Sequence, residues 1–167
     1  NATMGLGIDK HQLAYNGCDF LVDGVPFDQV KCAVADFAHF DVLPANGDLT
    51  AAEVALRERP FGEMVLRNLL LPIQNQYDLI MMDCPPALSL LTLNAFTAST
   101  GVLVPMQCEY YALEGIADLL ETLQKVKSAI NPQLELLGVI RTMFDPRNLL
   151  ANDISAQLKQ HFGKKLY

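Results

Sequence analysis

The sequence contains no tryptophan, no apolar run long enough to span a membrane, and no C-x-x-C pair of cysteines. Without such a run a transmembrane helix is excluded, and no membrane partner is expected. Without paired spacing, the four cysteines indicate neither a zinc site nor a thioredoxin-like redox site, and they are typical of reduced cytosolic thiols. The three histidines are scattered and no G-x-S-x-G motif occurs, so neither a metal centre nor a serine hydrolase is indicated.

Positive charge is also scarce, because 12 Lys and Arg stand against 19 Asp and Glu, for a net charge of −7. This balance argues against a domain that binds nucleic acid because it is basic all over. The deficit is uneven: residues 136–167 carry five basic and two acidic side chains. The C-terminal end is therefore the basic end, either as a solvated helix face or as a contact surface.

The chain has 167 residues, of which 51% are hydrophobic. This length suits a single domain that buries roughly 68–70% of its unfolded surface. The chain begins Asn1-Ala2-Thr3, without an initiator methionine or the apolar core of a signal peptide. Residues 164–167 follow Gly163 and predict the opening of another strand. We therefore expect residues 1–167 to form one domain, truncated at both ends.

Short apolar runs bounded by turn-forming residues predict four strands that are buried on both faces. They lie at residues 40–44, 78–82, 101–105 and 136–140. The predicted helices are 48–59 with Asp48 as N-cap, about 62–75, about 88–97, 113–130 before Asn131-Pro132, and 150–162 before Gly163. This alternation predicts an α/β fold: a doubly wound, mostly parallel sheet with helices on both faces.

In such a sheet the chemistry lies at the carboxyl ends of the strands, and Asp83-Cys84-Pro85-Pro86 follows the strand predicted at 78–82. The two prolines remove two N–H donors and stiffen the turn. A carboxylate here suits Mg²⁺, held directly or through water beside a phosphate. Two other interpretations stay open: an aspartate that accepts hydrogen bonds from its own turn, and the phospho-accepting aspartate of a receiver domain.

Two later strand ends are rich in polar side chains. Those that leave the third predicted strand are Gln107, Glu109, Tyr110 and Tyr111. Arg141 and Arg147 lie near the end of the fourth. Guanidinium groups suit phosphate or carboxylate, although surface ion pairing is their commoner use. Ordinary loop chemistry is the alternative for the first group.

Four segments resemble the ParA/Soj family of partition ATPases in order and spacing. They are residues 1–7 (NATMGLG), 77–86 (YDLIMMDCPP), 104–115 (VPMQCEYYALEG) and 142–147 (TMFDPR). The resemblance implies a P-loop NTPase-like fold of the MinD/ParA type and a deviant-Walker ATPase that uses ATP and Mg²⁺. It also implies a homodimer when ATP is bound, non-specific DNA binding in that state, and stimulation by a ParB-type partner. The implied protein is cytoplasmic and nucleoid-associated, and it segregates chromosomes or plasmids.

The resemblance implies roles for individual residues. Asp83 is expected to be the catalytic acid that organises Mg²⁺ and its waters, and Pro85 and Pro86 belong to the segment that senses the γ-phosphate. The remaining candidates on the nucleotide side, where the facing subunit also approaches, are Asn1, Gln107, Glu109, Thr142, Met143, Asp145 and Arg147. The candidates for DNA contact are Lys164 and Lys165.

One part of the family pattern is absent: the Gly-rich phosphate loop ending G-K-[ST], together with the upstream acid that orients attacking water. We therefore expect the chain alone to bind ATP poorly or not at all. We also expect it to be marginally stable, because a central strand would be missing. Two alternatives stay open: a MinD-type ATPase that positions another cargo at a membrane, and a noncatalytic dimerisation or binding module.

Overall fold

The chain divides into two compact units, Asn1–Ala95 and Phe96–Tyr167. The structure is a computed structural model, and it describes residues 2–35, 37–110 and 112–167. Within these ranges no helix is both long and apolar enough to cross a membrane. The single domain expected over residues 1–167 stays a prediction.

The first unit is mainly helical, with one short hairpin of strands. Its helices are α1 (Ala2–Gly5), a π-helix (Asp19–Asp23), α2 (Phe27–Val30), α3 (Leu49–Arg57), a 3-10 helix (Gly62–Met64), α4 (Val65–Leu70), a second 3-10 helix (Gln74–Gln76) and α5 (Leu90–Ala98), whose last three residues belong to the second unit. Its strands are β1 (Cys32–Ala33) and β2 (Asp41–Val42), which pair antiparallel. Ala52 and Leu56 are completely buried on one face of α3, because residues four apart share a side of a helix.

Three predictions for this unit are wrong. The strand expected at 40–44 is shorter and pairs antiparallel with β1. Residues 78–85 form no helix or strand, and Leu79 and Met81 are 73% and 82% exposed. An apolar run becomes a buried strand only where other strands flank it, and no strand within the described ranges pairs with this run. The helix expected over 62–75 is interrupted after Leu70, because the ring of Pro72 prevents its continuation.

Asn94 on α5 connects the helices of the first unit. Its side chain is buried, and its Nδ2 donates to the carbonyl oxygens of Gly62 at 2.8 Å and Leu90 at 3.0 Å. Its Oδ1 accepts from the backbone N–H of Leu66 at 3.0 Å. Glycine is required at position 62, because a Cβ there would lie 2.0 Å from the carbonyl oxygen of Leu56. The amide is thus satisfied as a buried polar group must be.

The second unit is a β-α-β arrangement followed by a helix. Its elements are β3 (Gly101–Gln107), α6 (Ala112–Ala129), β4 (Glu135–Thr142), α7 (Leu149–Phe162) and a 3-10 helix (Gly163–Lys165). β3 and β4 are parallel, and their register opposes Gln107 to Thr142. The carboxyl ends of both strands therefore lie at the same edge, as the sequence predicts.

A further strand begins beside β4. Leu166 forms a parallel bridge with Val139, the N–H of Tyr167 donates to the Val139 carbonyl at 2.8 Å, and the N–H of Arg141 donates to the Tyr167 carbonyl at 3.0 Å. These alternating bonds are those of a parallel ladder. The strand predicted to open over residues 164–167 begins only at Leu166, because Lys164 and Lys165 lie in the 3-10 helix Gly163–Lys165.

The ends of the long helices follow the local sequence. After α6 the buried Asn131 donates from Nδ2 to the carbonyl oxygens of Phe96 at 2.9 Å and Ser99 at 2.7 Å. α7 begins after Asn148, whose side chain accepts from the N–H of Ala151, and it ends at Gly163, whose φ is +53°. Glycine adopts this left-handed conformation without strain. The predicted ends of these two helices are confirmed.

Candidate functional site

Asp83 follows segment 78–82, which forms no helix or strand, and its side chain is exposed. Its Oδ2 accepts a hydrogen bond from the backbone N–H of Ala2 at 3.3 Å, across 81 residues of sequence. Pro85 and Pro86 follow in an exposed turn that leads to α5. The structure therefore brings Asp83 to the N-terminal segment. Asn1, the neighbouring candidate, lies outside the described residues.

The chemistry of the Asp83 carboxylate fits a magnesium ion. Mg²⁺ is typically bound by one or two carboxylates, retains several waters and takes further oxygens from substrate phosphates. Among the described residues, no group of three or more His, Cys, Asp and Glu side chains could hold a metal. A cation at Asp83 would accordingly complete its coordination with water and phosphate oxygens.

Thr3 anchors the N-terminal segment beside Asp83. Its buried hydroxyl accepts from the N–H of Ala45 at 3.0 Å and contacts the Ala45 carbonyl oxygen at 3.2 Å as a donor. Because a hydroxyl can donate and accept at once, both backbone groups of Ala45 are satisfied. Sequence reasoning missed this role. The only available signal was a threonine inside an otherwise apolar and glycine-rich run.

Gln107 and Met143 meet at the carboxyl ends of β3 and β4. The Nε2 of Gln107 lies 3.3 Å from the Sδ of Met143, one residue beyond the pairing of Gln107 with Thr142. Met143 is 86% exposed and has a φ of +52°, a left-handed conformation that is rare for a residue with a side chain. Glu109 follows β3, and its N–H donates to the Gln107 carbonyl at 2.9 Å.

Asp145 and Arg147 form a bidentate ion pair in the loop that follows β4. The Nε and Nη2 atoms of Arg147 lie 3.0 and 2.9 Å from the two carboxylate oxygens of Asp145, and the Arg147 N–H donates to the same carboxylate. The guanidinium hydrogen bonds lower the pKa of the Asp145 carboxyl. Surface ion pairing, the commoner use of arginine, is therefore what the structure gives Arg147.

The guanidinium of Arg141 is not free at the edge where β3 and β4 end. Its Nη1 donates to the hydroxyl of Ser155 on α7 at 2.8 Å. Sequence reasoning missed this contact. The signal that could have indicated it is a serine at position 155, directly beside Ile154 in the apolar stripe of α7.

The two lysines proposed for DNA contact differ in their surroundings. Both are exposed, but the Nζ of Lys165 donates to the carbonyl oxygen of Leu136 at 2.6 Å. Lys164 precedes it in the same 3-10 helix. The basic end of the chain therefore contains one lysine whose ammonium also donates to the backbone near the start of β4.

Comparison with known proteins places this arrangement in a family. A family model described as an AAA domain matches residues 1–136. The chromosome-partitioning ATPase Soj of Thermus thermophilus is 46% identical over 167 residues, which is 100% of this chain and 62% of the relative. The chain belongs to the AAA-domain family and is of the ParA/Soj type.

A second relative of this ParA/Soj-type chain is the chromosome partitioning protein ParA of Myxococcus xanthus. It is 40% identical over 167 residues, covering 100% of the chain and 59% of the relative. The chain therefore spans about three-fifths of the length of these relatives.

Two solved structures show the fold. Cobyrinic acid a,c-diamide synthase from Mycobacterium smegmatis, with bound ATP analog and magnesium, has a TM-score of 0.87 and 33% identity over 96% of this chain and 65% of its own. The McdA(D38A)–ATP complex of Cyanothece has a TM-score of 0.89 and 20% identity over 100% of this chain and 66% of its own. The predicted fold class is confirmed: a doubly wound, mostly parallel α/β fold of the P-loop NTPase, MinD/ParA type.

Proposed function

We propose that the protein containing this chain is an ATP hydrolase that segregates DNA, either chromosome or plasmid. The observation that carries the proposal is the match of the whole chain to relatives named as chromosome-partitioning proteins. The bound ATP analog and magnesium of the Mycobacterium smegmatis synthase support ATP and Mg²⁺ as the ligands. The phosphate loop would come from the part of the relatives' length that this chain does not cover.

In this proposal Asp83 is the catalytic acid and holds Mg²⁺ through water. The ion neutralises charge on the transferring phosphate when it is bound. Pro85 and Pro86 fix the direction in which the chain leaves Asp83, because each proline has a fixed φ and no N–H. Asn1 contributes from the neighbouring segment, a role that rests on the sequence resemblance.

The roles proposed for residues of the second unit rest on the sequence resemblance. These residues would approach the nucleotide and the facing protomer of an ATP-bound homodimer: Gln107, Glu109, Thr142, Met143, Asp145 and Arg147. The contact between Gln107 and Met143 supports a shared surface at the two strand ends. Lys164 and Lys165 would contact DNA without sequence preference, at the nucleoid, and a ParB-type protein would stimulate hydrolysis.

Equilibrium binding of ATP-Mg²⁺ by the full-length protein tests the proposal. Wild-type protein should bind saturably, and Asp83→Ala should abolish binding. Asp78→Ala is the matched control, because Asp78 is an exposed aspartate at the other end of the segment that precedes Asp83. Absence of binding by the wild type would instead favour a noncatalytic module.

A further inference from the structure

The side chain of Arg141 connects three separate parts of the second unit. Its Nη1 donates to the buried hydroxyl of Ser155 on α7 at 2.8 Å, and its Nε donates to the carbonyl oxygen of Tyr167 at 3.3 Å. Its guanidinium carbon lies 5.1 Å from the centre of the Phe144 ring. Arg141 thus contacts helix α7, the opening strand at the C-terminal end and the loop that follows β4.

Phe144 anchors the loop that follows β4. Its ring packs against the buried apolar cluster that includes Ile154 and Leu158 of α7. The residue before it, Met143, is directed into solvent by a left-handed backbone conformation. Because Met143 and Phe144 are joined by one planar peptide unit, holding the Phe144 ring against α7 limits the positions that the Met143 side chain can take.

Arginine is the side chain that suits this position. Its planar fork can donate to two acceptors at once while its flat face covers an aromatic ring. The ammonium of lysine has no flat face, and it carries its charge at one point. The contacts of Arg141 use both properties, since two nitrogens donate and the guanidinium lies over Phe144.

We propose that Arg141 is a positioning residue that holds the 142–147 loop in the conformation in which Met143 and its neighbours receive the base of the nucleotide. This inference rests on the proposed function, which places the loop on the nucleotide side. Arg141 acts on the ligand through Phe144 and does not touch it. Its loss should therefore weaken contacts to the base and leave contacts to the phosphates unchanged.

The test measures the affinity of the full-length protein for ATP-Mg²⁺ and for inorganic triphosphate with Mg²⁺. We expect Arg141→Met to weaken ATP binding about tenfold, because without the guanidinium contacts the loop would occupy its binding conformation about a tenth as often, while triphosphate binding is retained. Arg141→Lys should restore little of this loss, because it lacks the flat face. Hydrogen exchange at residues 142–147 should become faster in both variants.

Asn131→Ala is the matched control. It removes a buried side chain with two hydrogen bonds at the other end of the second unit, so it lowers stability without touching the loop. Equal losses of ATP affinity in Asn131→Ala and Arg141→Met, or equal losses for ATP and triphosphate, would overturn the positioning role. Wild-type protein that binds neither ligand would overturn the proposed function itself, and unchanged ATP affinity in Arg141→Met would overturn only the role of Arg141.

Discussion

The hydroxyl of Tyr77 donates a 2.5 Å hydrogen bond to a carboxylate oxygen of Asp41. The ring of Tyr77 also meets Phe27 edge-on at 6.0 Å, and the Nζ of Lys31 lies 3.3 Å from the same Asp41 oxygen. This contact joins β2 to the start of the segment that ends at Asp83. The hydrogen bond from Tyr77, together with Lys31, lowers the pKa of the Asp41 carboxyl.

Tyr77→Phe should destabilise the protein by about 1.5 kcal/mol at neutral pH, because it removes a hydrogen bond to a charged group and keeps the ring. Since Asp41 has a lower pKa when folded, this contribution is fully present above the unfolded pKa of about 3.9 and is lost as the pH falls through the folded value. Urea unfolding of both proteins across this acid range measures the difference. Tyr15→Phe, at an exposed tyrosine, is the control, and a difference that stayed constant into acid would contradict the assignment to Asp41.

Thr3→Val should loosen the segment that donates to Asp83. Valine has a similar shape and lacks the hydroxyl, so both backbone groups of Ala45 lose their partner, at a cost of about 1–3 kcal/mol. Thr3→Ser keeps the hydroxyl and should cost less. Amide hydrogen exchange at Ala45 separates the two variants, and equal protection in both would show that the hydroxyl is dispensable.

Asn94→Ala should destabilise the first unit by about 2–3 kcal/mol, because it removes the side-chain hydrogen bonds to the Leu66 N–H and to the carbonyl oxygens of Gly62 and Leu90. Asn75→Ala, in the exposed 3-10 helix that ends at Gln76, should be nearly neutral. Chemical unfolding monitored by circular dichroism compares them. A similar midpoint for both variants would mean that water replaces the amide of Asn94.

Lys164→Glu should weaken DNA binding by the full-length protein and reduce the slope of log affinity against log salt by about 1, if Lys164 neutralises one phosphate. Lys165→Glu should also lower the stability of the protein, since the Lys165 ammonium donates to the Leu136 carbonyl. Lys125→Glu, at an exposed lysine of α6, alters net charge equally and is the control. An unchanged slope for Lys164→Glu would assign this lysine to solvation, and binding to anionic vesicles in place of DNA would favour a MinD-type function.

Local signals predicted the second unit better than the first. The apolar stripe of α6, the stop at Asn131-Pro132 and Gly163 after α7 each act within a few residues, so their outcome follows from the sequence. Asp48 shows the limit: it precedes α3 as predicted, but its side chain accepts hydrogen bonds from Asn16 and Asn46 and makes no cap bond. One of these partners, Asn16, is 32 residues away in the sequence, so helix-capping signals alone could not predict the outcome.

The candidate site also has features that the sequence predicted and contacts that it did not. Chain order alone indicated that Gln107 and Thr142 lie at one edge, because parallel strands end together. The bonds that Asp83 receives from Ala2 and that Arg141 gives to Ser155 span tertiary contacts, which no periodicity encodes. The run at 78–82 has the composition of a strand, but composition cannot supply the neighbours that such a strand requires.

The exposed segment 79–82 also affects how the protein behaves in concentrated solution. Leu-Ile-Met-Met is a charge-free run that belongs to no helix or strand, and such a run can pair edge to edge with a second copy. The net charge of −7 opposes that encounter between chains. Added salt weakens the repulsion, so self-association should set in as ionic strength rises, and dilute, low-salt buffers are the conditions in which this chain is best purified.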